Sequence, residues 1–382
     1  MLRRFGPGGS CEASWVSLFD ALVIGGGIAG ATAAAHLSAD GKVALIEAEA
    51  AAGYHTSGRS AALWVGNGGP EFEVGLARAS FGFLSAPPVG FAATPILRAR
   101  AVAFAVPAEQ RGALQGILAT RRNIREISVA ALREMIPAVR AGYAAAAALE
   151  TENYDIDVDV LLQGYLRLAR SRGAMVAFRR RSQRIERAGG VWRVETADGT
   201  VFSARVLVNA AGAWGDEVAE QAGVRKLGLV AKRRTAVLVD AAPFSVADWP
   251  RLYDARRSWY CKPEAGRLMV SPADATPDRA HDVQPDELDV AITIDRMQQV
   301  LDIPVRRVVR AWAGLRTFAP DEAFAFGEAQ DGFYWFVGQG GDGILTSPAA
   351  GRLLSDMVAG RAPDWLEGAA RILPAIDPKR FG

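Results

Sequence analysis

The stretch 19–46, FDALVIGGGIAGATAAAHLSADGKVALI, constrains this chain's fold more than any other. Its apolar opening, 19–24, suits a strand buried on both faces. The alanine-rich run 28–37 reads as a helix and 42–46 as a second strand. Between the first strand and the helix stand Gly25, Gly27 and Gly30 in the spacing G-x-G-x-x-G. Gly25 permits a tight turn, Gly27 lets the backbone approach a pyrophosphate, and Gly30 lets the helix pack on the strand. The amides opening the helix, around Ile28 and Ala29, carry partial positive charge suited to phosphate. Glu47, with Ala48 behind it, ends the second strand 22 residues after Gly25. A carboxylate there accepts hydrogen bonds from a ribose and repels a 2′-phosphate, which disfavours NADP. The fingerprint alone serves FAD and NAD equally.

Bulk properties narrow the chemistry. A net charge of +2 over 382 residues gives no case for nucleic acid or an anionic membrane as partner. The run Arg179-Arg180-Arg181 reads as a solvated strand edge or turn. Two cysteines, Cys11 and Cys261, exclude a disulfide framework and a thiolate metal site, and the reading includes no metal. Three histidines (His36, His55 and His281) argue against zinc hydrolysis and histidine-dependent triads. Chemistry without a histidine base is favoured, in a reducing, hence cytoplasmic, compartment. Residues 1–18 read as a flexible tail, and no apolar run is long enough to span a bilayer.

Further along, 71–84 and 160–171 show helical spacing, while 97–106 alternates charged and apolar residues as one half-exposed strand does. Segments at 234–239, 258–262, 267–271 and 307–313 look antiparallel. The run 333–337 leads through GQGGDGILTS to a helix expected at about 348–358. The expected class is α/β: a dinucleotide-binding domain from 19–92, 148–231 and 320–382, carrying a mainly antiparallel sheet from 93–147 and 232–319. The alanine cluster 142–148 is the one low-complexity segment.

Three patches favour a long cofactor. In GYHTSGRSAALW (53–64), Thr56, Ser57, Arg59 and Ser60 supply donors, while Gly58, Ala61 and Ala62 permit close approach. In VLVNAAGAW (206–214), Ala211, Gly212 and Trp214 end an apolar strand and suit closure over a dinucleotide. In GQGGDGILTS, the run Gly340, Gly341, Asp342, Gly343, Ile344, Leu345 and Thr346 precedes a helix whose dipole could face the pyrimidine end of a flavin.

On these motifs the sequence resembles the D-amino-acid oxidase-like superfamily of FAD oxidoreductases. Segments 155–170, 227–236, 258–263, 271–291 and 311–318 look closer to bacterial D-arginine dehydrogenase and related D-amino-acid dehydrogenases. The resemblance implies non-covalent FAD and a glutathione-reductase-type FAD domain with a separate substrate domain. It also implies that Arg234 and Arg316 grip a substrate carboxylate, with Tyr260 donating to the same group and Arg316 beside the cofactor. Where the D-arginine enzyme carries polar groups, this chain has Leu63, Val102 and Leu345, so an apolar or small side chain is expected. His55 is expected to be packed and hydrogen-bonded, and Cys261 inert.

The expected reaction is oxidative deamination of a D-amino acid to a 2-oxo acid and ammonia. Hydride would pass to flavin N5 without a protein base, with oxygen or a quinone as acceptor. A quinone would allow peripheral membrane association. A monomer or small homo-oligomer is expected. Sarcosine- or glycine-type amine oxidation, a non-catalytic FAD-binding accessory protein and an NAD-dependent dehydrogenase remain as alternatives.

Overall fold

The computed structural model describes residues 18–382. The expected tail therefore lies outside the described residues, apart from Leu18. That residue opens the strand Leu18–Ile24 and pairs with Ser203.

The apolar runs of the sequence build a parallel sheet in the order Met175–Ala177, Val43–Ile46, Leu18–Ile24, Val201–Asn209, Phe333–Val337. Phe333–Val337 is buried at every residue, as a strand covered on both faces must be. The hairpin Ser182–Ala188/Val191–Thr196 branches from the first half of Val201–Asn209, and Ala325–Gln330 closes the far edge. The helix Ile28–Leu37 packs against Gly343–Val358, and these two helices put both of their N-termini above the sheet's carboxyl edge. Alanine and glycine allow that approach: a methyl at Gly351 would lie 2.8 Å from Thr32 Cβ and 2.9 Å from His36 Cδ2.

The second sheet has nine strands. Val230–Val239 is flanked by Val308–Phe318, Arg267–Ser271 and Thr276–Asp278; the sheet continues through Tyr260–Glu264, Arg251–Tyr253, Val102–Val106 and Ala146–Glu150 to Ile124–Ile127. A small third sheet joins Leu63–Val65, Asn153–Ile156 and Leu97–Ala99. The fold is thus a Rossmann-type α/β domain carrying a mainly antiparallel sheet. Among the described residues no helix is long and apolar enough to cross a membrane.

Several expectations needed correction. The alternating run 97–106 is two strands in different sheets, parted where the Arg100 guanidinium turns inward to Asp155 (2.8 Å) and the carbonyls of Ala247 and Trp249. Its second half, Val102–Val106, is buried throughout rather than half-exposed. The alanine cluster runs into Ala146–Glu150, a fully buried strand of the second sheet, because small side chains fit between two packed layers. The domain cut expected between 147 and 148 therefore falls inside a strand, and the one at 231/232 falls inside Val230–Val239. The helix expected at 348–358 begins at Gly343. Pro348 lacks an N–H for the Ile344 carbonyl, and the Ser347 hydroxyl donates to that carbonyl instead at 2.8 Å.

Candidate active site

Two cavities meet where the sheets face one another. The first is a channel running from Glu47, Ala48 and Arg180 past Gly25, Gly27, Ile28 and Ala29 towards Gly340, Gly341, Gly343 and Ile344. Ala211, Gly212 and Trp214 form part of its wall. The second, about 350 Å³, lies against the second sheet and is lined by Leu63, Val102 and Leu345 among others. Ser60, Ala61, Arg234, Tyr260, Arg316 and Ile344 line both, so the cavities join at these residues.

The strand register explains the junction. Arg234 pairs with Gly314 and Lys232 with Arg316, so Arg234 and Arg316 stand two positions apart on one face of adjacent antiparallel strands. Tyr260 pairs with Ser271, whose strand neighbours Val230–Val239, and faces the same side. Arg234 is anchored by Nε, which donates to the Asp274 carbonyl at 2.5 Å. Its pKa is lowered by burial and by the nearby Arg316 charge. Arg316 has no carboxylate within 4.0 Å among the described residues. Burial alone would raise the Tyr260 phenol, but Arg316, Arg251 and Arg234, with a Ser271 hydrogen bond, hold it below its ordinary value. Two neighbouring guanidiniums and a phenol thus present, on one wall, donors of the kind a carboxylate accepts from.

The channel fits a dinucleotide. Gly25 adopts φ +111° with a methyl position 2.4 Å from the Ala210 carbonyl, and a methyl at Gly30 would sit 1.8 Å from the Gly25 carbonyl. Neither position accepts a side chain, so turn, helix and strand close on each other. The Ile28 amide donates to Ser57 Oγ, while the amides of Ala29 and Gly30 have no protein acceptor among the described residues. Nor do those of Gly343 to Leu345, at the start of the second helix. Two helix N-termini with open donors therefore face one channel, as a pyrophosphate and an electron-rich ring require. Glu47 is already engaged: its carboxylate accepts from the Gly26 and Glu49 amides and braces the glycine turn.

Other members of the expected set are placed differently. Arg59 spends its guanidinium on the Val283 and Ala313 carbonyls (2.9 and 3.0 Å) and on Asp282, while Thr56 donates to the Leu315 carbonyl. The loop 53–64 thus ties the two sheets together, although both residues still border the channel. Gly58 lies behind the wall, where its methyl position is 2.4 Å from the Gly53 carbonyl. Thr346 is buried with its hydroxyl on the Asp342 carbonyl. Ala62 and Asp342 face the second cavity rather than the channel. Arg180 and Arg181, taken from sequence as part of a solvated turn, line the channel's Glu47 end. His55 lies 3.1 Å from Glu49 and against Trp214. Burial raises the Cys261 thiol to about 12, so it stays protonated.

The second cavity is polar, which corrects the expectation of an apolar or small side-chain pocket. Leu63, Val102 and Leu345 do face it, but Glu73, Arg121, Glu150, Arg251, Arg257 and Asp342 face it too. Arg121 pairs with the fully buried Glu150 at 2.9 Å. Burial, then Asp342 and Glu322, push Glu73 up to about 8, so it is protonated at pH 7. Burial also raises the Asp342 carboxyl, against the pull of Arg316 and Arg257. Apart from Asp342, which was expected at the cofactor, the sequence reading missed these residues because they come from separate helices, strands and turns that only the sheet topology gathers.

A glycine-turn channel flanked by two helix N-termini with open donors defines a dinucleotide-binding site. The chain belongs to the FAD dependent oxidoreductase family (DAO), whose model matches residues 20–357, and its cofactor is FAD. It is 27% identical over 241 residues to the hydrogen cyanide synthase subunit HcnC of Pseudomonas aeruginosa, covering 62% of this chain and 56% of that protein. The match thus spans little more than half of that relative's length. Glycine oxidase from Geobacillus kaustophilus shares the fold, with a TM-score of 0.78 at 20% identity over 93% of this chain and 97% of its own. So does L-proline dehydrogenase from P. horikoshii, with a TM-score of 0.79 at 18% identity over 95% and 98%.

Proposed function

We propose that the protein oxidatively deaminates an amino acid, with the D enantiomer preferred. The observation carrying this reading is the Arg234–Tyr260–Arg316 cluster, a carboxylate receptor at the junction between the cofactor channel and a polar cavity. The names of the fold relatives, glycine oxidase and L-proline dehydrogenase, agree with an amino-acid substrate. The preference for D rests on the resemblance of segments 155–170, 227–236 and 258–263 to D-amino-acid dehydrogenases.

Bound FAD would supply the two-electron acceptor. The protein's own work is to hold and orient the substrate. Arg316 and Arg234 take the carboxylate oxygens and the Tyr260 hydroxyl donates to one of them, which sets the Cα substituents relative to the channel. No histidine lines the second cavity. A substrate ammonium proton can instead pass to a carboxylate oxygen of Asp342, beside the protonated Glu73.

The test is anaerobic mixing of the purified yellow protein with D- and L-amino acids, glycine and sarcosine while flavin absorbance is followed. Bleaching by a D-amino acid ahead of its L enantiomer is expected. A flavin that no amine acid reduces would end this reading and leave an accessory role.

A further inference from the structure

The second cavity carries more positive charge than one amino-acid carboxylate needs. Five guanidiniums line it (Arg121, Arg234, Arg251, Arg257 and Arg316) against three carboxyls. Of the three, Glu150 is matched by Arg121, Glu73 holds its proton at pH 7, and Asp342, raised by burial, is shared between Arg316 and Arg257 as a more distant charge. Arg251 is fixed inside the wall by the Ala61 carbonyl at 2.6 Å and the Tyr253 hydroxyl. With Arg234 and Arg316 assigned to the α-carboxylate, Arg257 remains.

No carboxylate lies within 4.0 Å of the Arg257 guanidinium among the described residues, and it donates no side-chain hydrogen bond among them. It rises from a turn at φ 55°, and its guanidinium carbon sits 5.6 Å from the centre of the Tyr253 ring. The residue has substantial exposed surface, yet burial and the neighbouring Arg121 charge both depress its pKa. The two facts agree if that surface opens onto the cavity it lines. Two buried polar atoms on the same wall, Glu150 Oε1 and Arg251 Nε, also have no hydrogen-bond partner. Arg257 calls for a polar occupant, since an apolar one would leave its guanidinium unpaired.

We propose that the substrate is a dicarboxylic amine, whose α-carboxylate is held by Arg316 and Arg234 and whose second carboxylate is gripped by Arg257. This rests on the amino-acid oxidation reading and names its substrate class. The second acid group sits either on the side chain, as in aspartate or glutamate, or on the nitrogen, as in N-(carboxymethyl)glycine. A guanidinium with no carboxylate within 4.0 Å among the described residues, lining the cavity, is a specificity device, because a neutral side chain cannot supply its counter-charge.

The test uses the FAD-loaded protein and the flavin absorbance change on binding of unreactive acids. Succinate and glutarate are expected to bind about tenfold or more tightly than propionate and butyrate. Arg257→Met should bring the two classes within about twofold of each other and leave monocarboxylate binding unchanged, with Arg257→Lys retaining part of the preference. Anaerobic reduction by aspartate, glutamate and N-(carboxymethyl)glycine, compared with asparagine, glutamine and sarcosine, then locates the second acid group. Equal binding of mono- and dicarboxylates by the wild-type protein would overturn the proposal, as would a preference that survives in Arg257→Met. Should the methionine variant fail to fold, the wild-type comparison decides alone. Reduction by neutral amino acids only would sink this inference and spare the amine-oxidation reading, whereas no reduction by any amine acid would sink the latter.

Discussion

Arg316 is one of the side chains shared by the two cavities, and its having no carboxylate within 4.0 Å among the described residues sets the expectation for its removal. Arg316→Met should weaken binding of the substrate carboxylate by about 1.5–3 kcal/mol, the usual range for a charged hydrogen bond. Most of this loss should appear as a raised KM in steady-state kinetics; an unchanged KM would move the carboxylate receptor elsewhere. Gly30 acts through sterics alone. Its methyl position overlaps the Gly25 carbonyl at 1.8 Å, so Gly30→Ala must force the helix off the strand or open the turn. The purified variant should be largely colourless or insoluble, and normal flavin content would show that the turn tolerates the shift. Both positions were readable from the sequence, Gly30 from its spacing and Arg316 from its resemblance. Arg257 was not: nothing around Asp254-Ala255-Arg256-Arg257-Ser258 marks a cavity wall, and besides nearby Tyr253 the wall it shares is built by residues as distant as Arg121, Glu150 and Asp342.

Among the elements, the pair of helices with open N-termini matters most, because their packing fixes how far apart the phosphate and flavin ends of the channel lie. Thr32, His36 and Gly351 form the contact. Gly351→Val should overpack it, at a cost of about 1–3 kcal/mol. FAD affinity should fall as well, measured as flavin retained after dialysis. Weakened folding with unaltered flavin retention would mean that the two helix ends are positioned independently. The helix Ile28–Leu37 was legible to the residue, because alanine periodicity and the glycine turn agree. The helix Gly343–Val358 was read five residues short, because Pro348 looked like a beginning. Ser347 rescuing the Ile344 carbonyl is a local event that proline statistics do not show. The break at Arg100 was hidden for a related reason: charge alternation looks the same whether arginine points to solvent or to a buried aspartate.

At the scale of the molecule, two buried groups should shape stability against pH in opposite directions. Burial, with Arg172 and Arg352, lowers His36 from 6.5 to about 4, so the unfolded chain binds the extra proton between those values. Its contribution is whole above pH 6.5 and is lost as pH falls through about 4, on the order of 3 kcal/mol. Glu73 runs the other way. With its folded pKa raised from 4.5 to about 8, the folded state holds the proton and stability declines as pH rises across that window. Melting temperatures of the FAD-loaded protein from pH 4 to 9 should therefore show both limbs. Glu73→Gln should flatten the alkaline limb and His36→Gln the acid one. A Glu73→Gln curve parallel to wild type would mean that Glu73 titrates alike folded and unfolded.

The sequence by itself determined the parallel sheet and the glycine turn, while its resemblance to a family gave the flavin class of cofactor and pointed to Arg234 and Arg316. The sheet and the turn depend on residues close in the chain or on a fixed spacing, so periodicity and local sterics carry them. The character of the substrate cavity was decided only by the tertiary structure. Leu63, Val102 and Leu345 do face it as three apolar positions, yet Glu73, Arg121, Arg257 and Asp342 reach the same space from a helix, the end of another, a turn and a glycine loop. Electrostatic character depends on distance in space, and the crossing of the two sheets sets those distances.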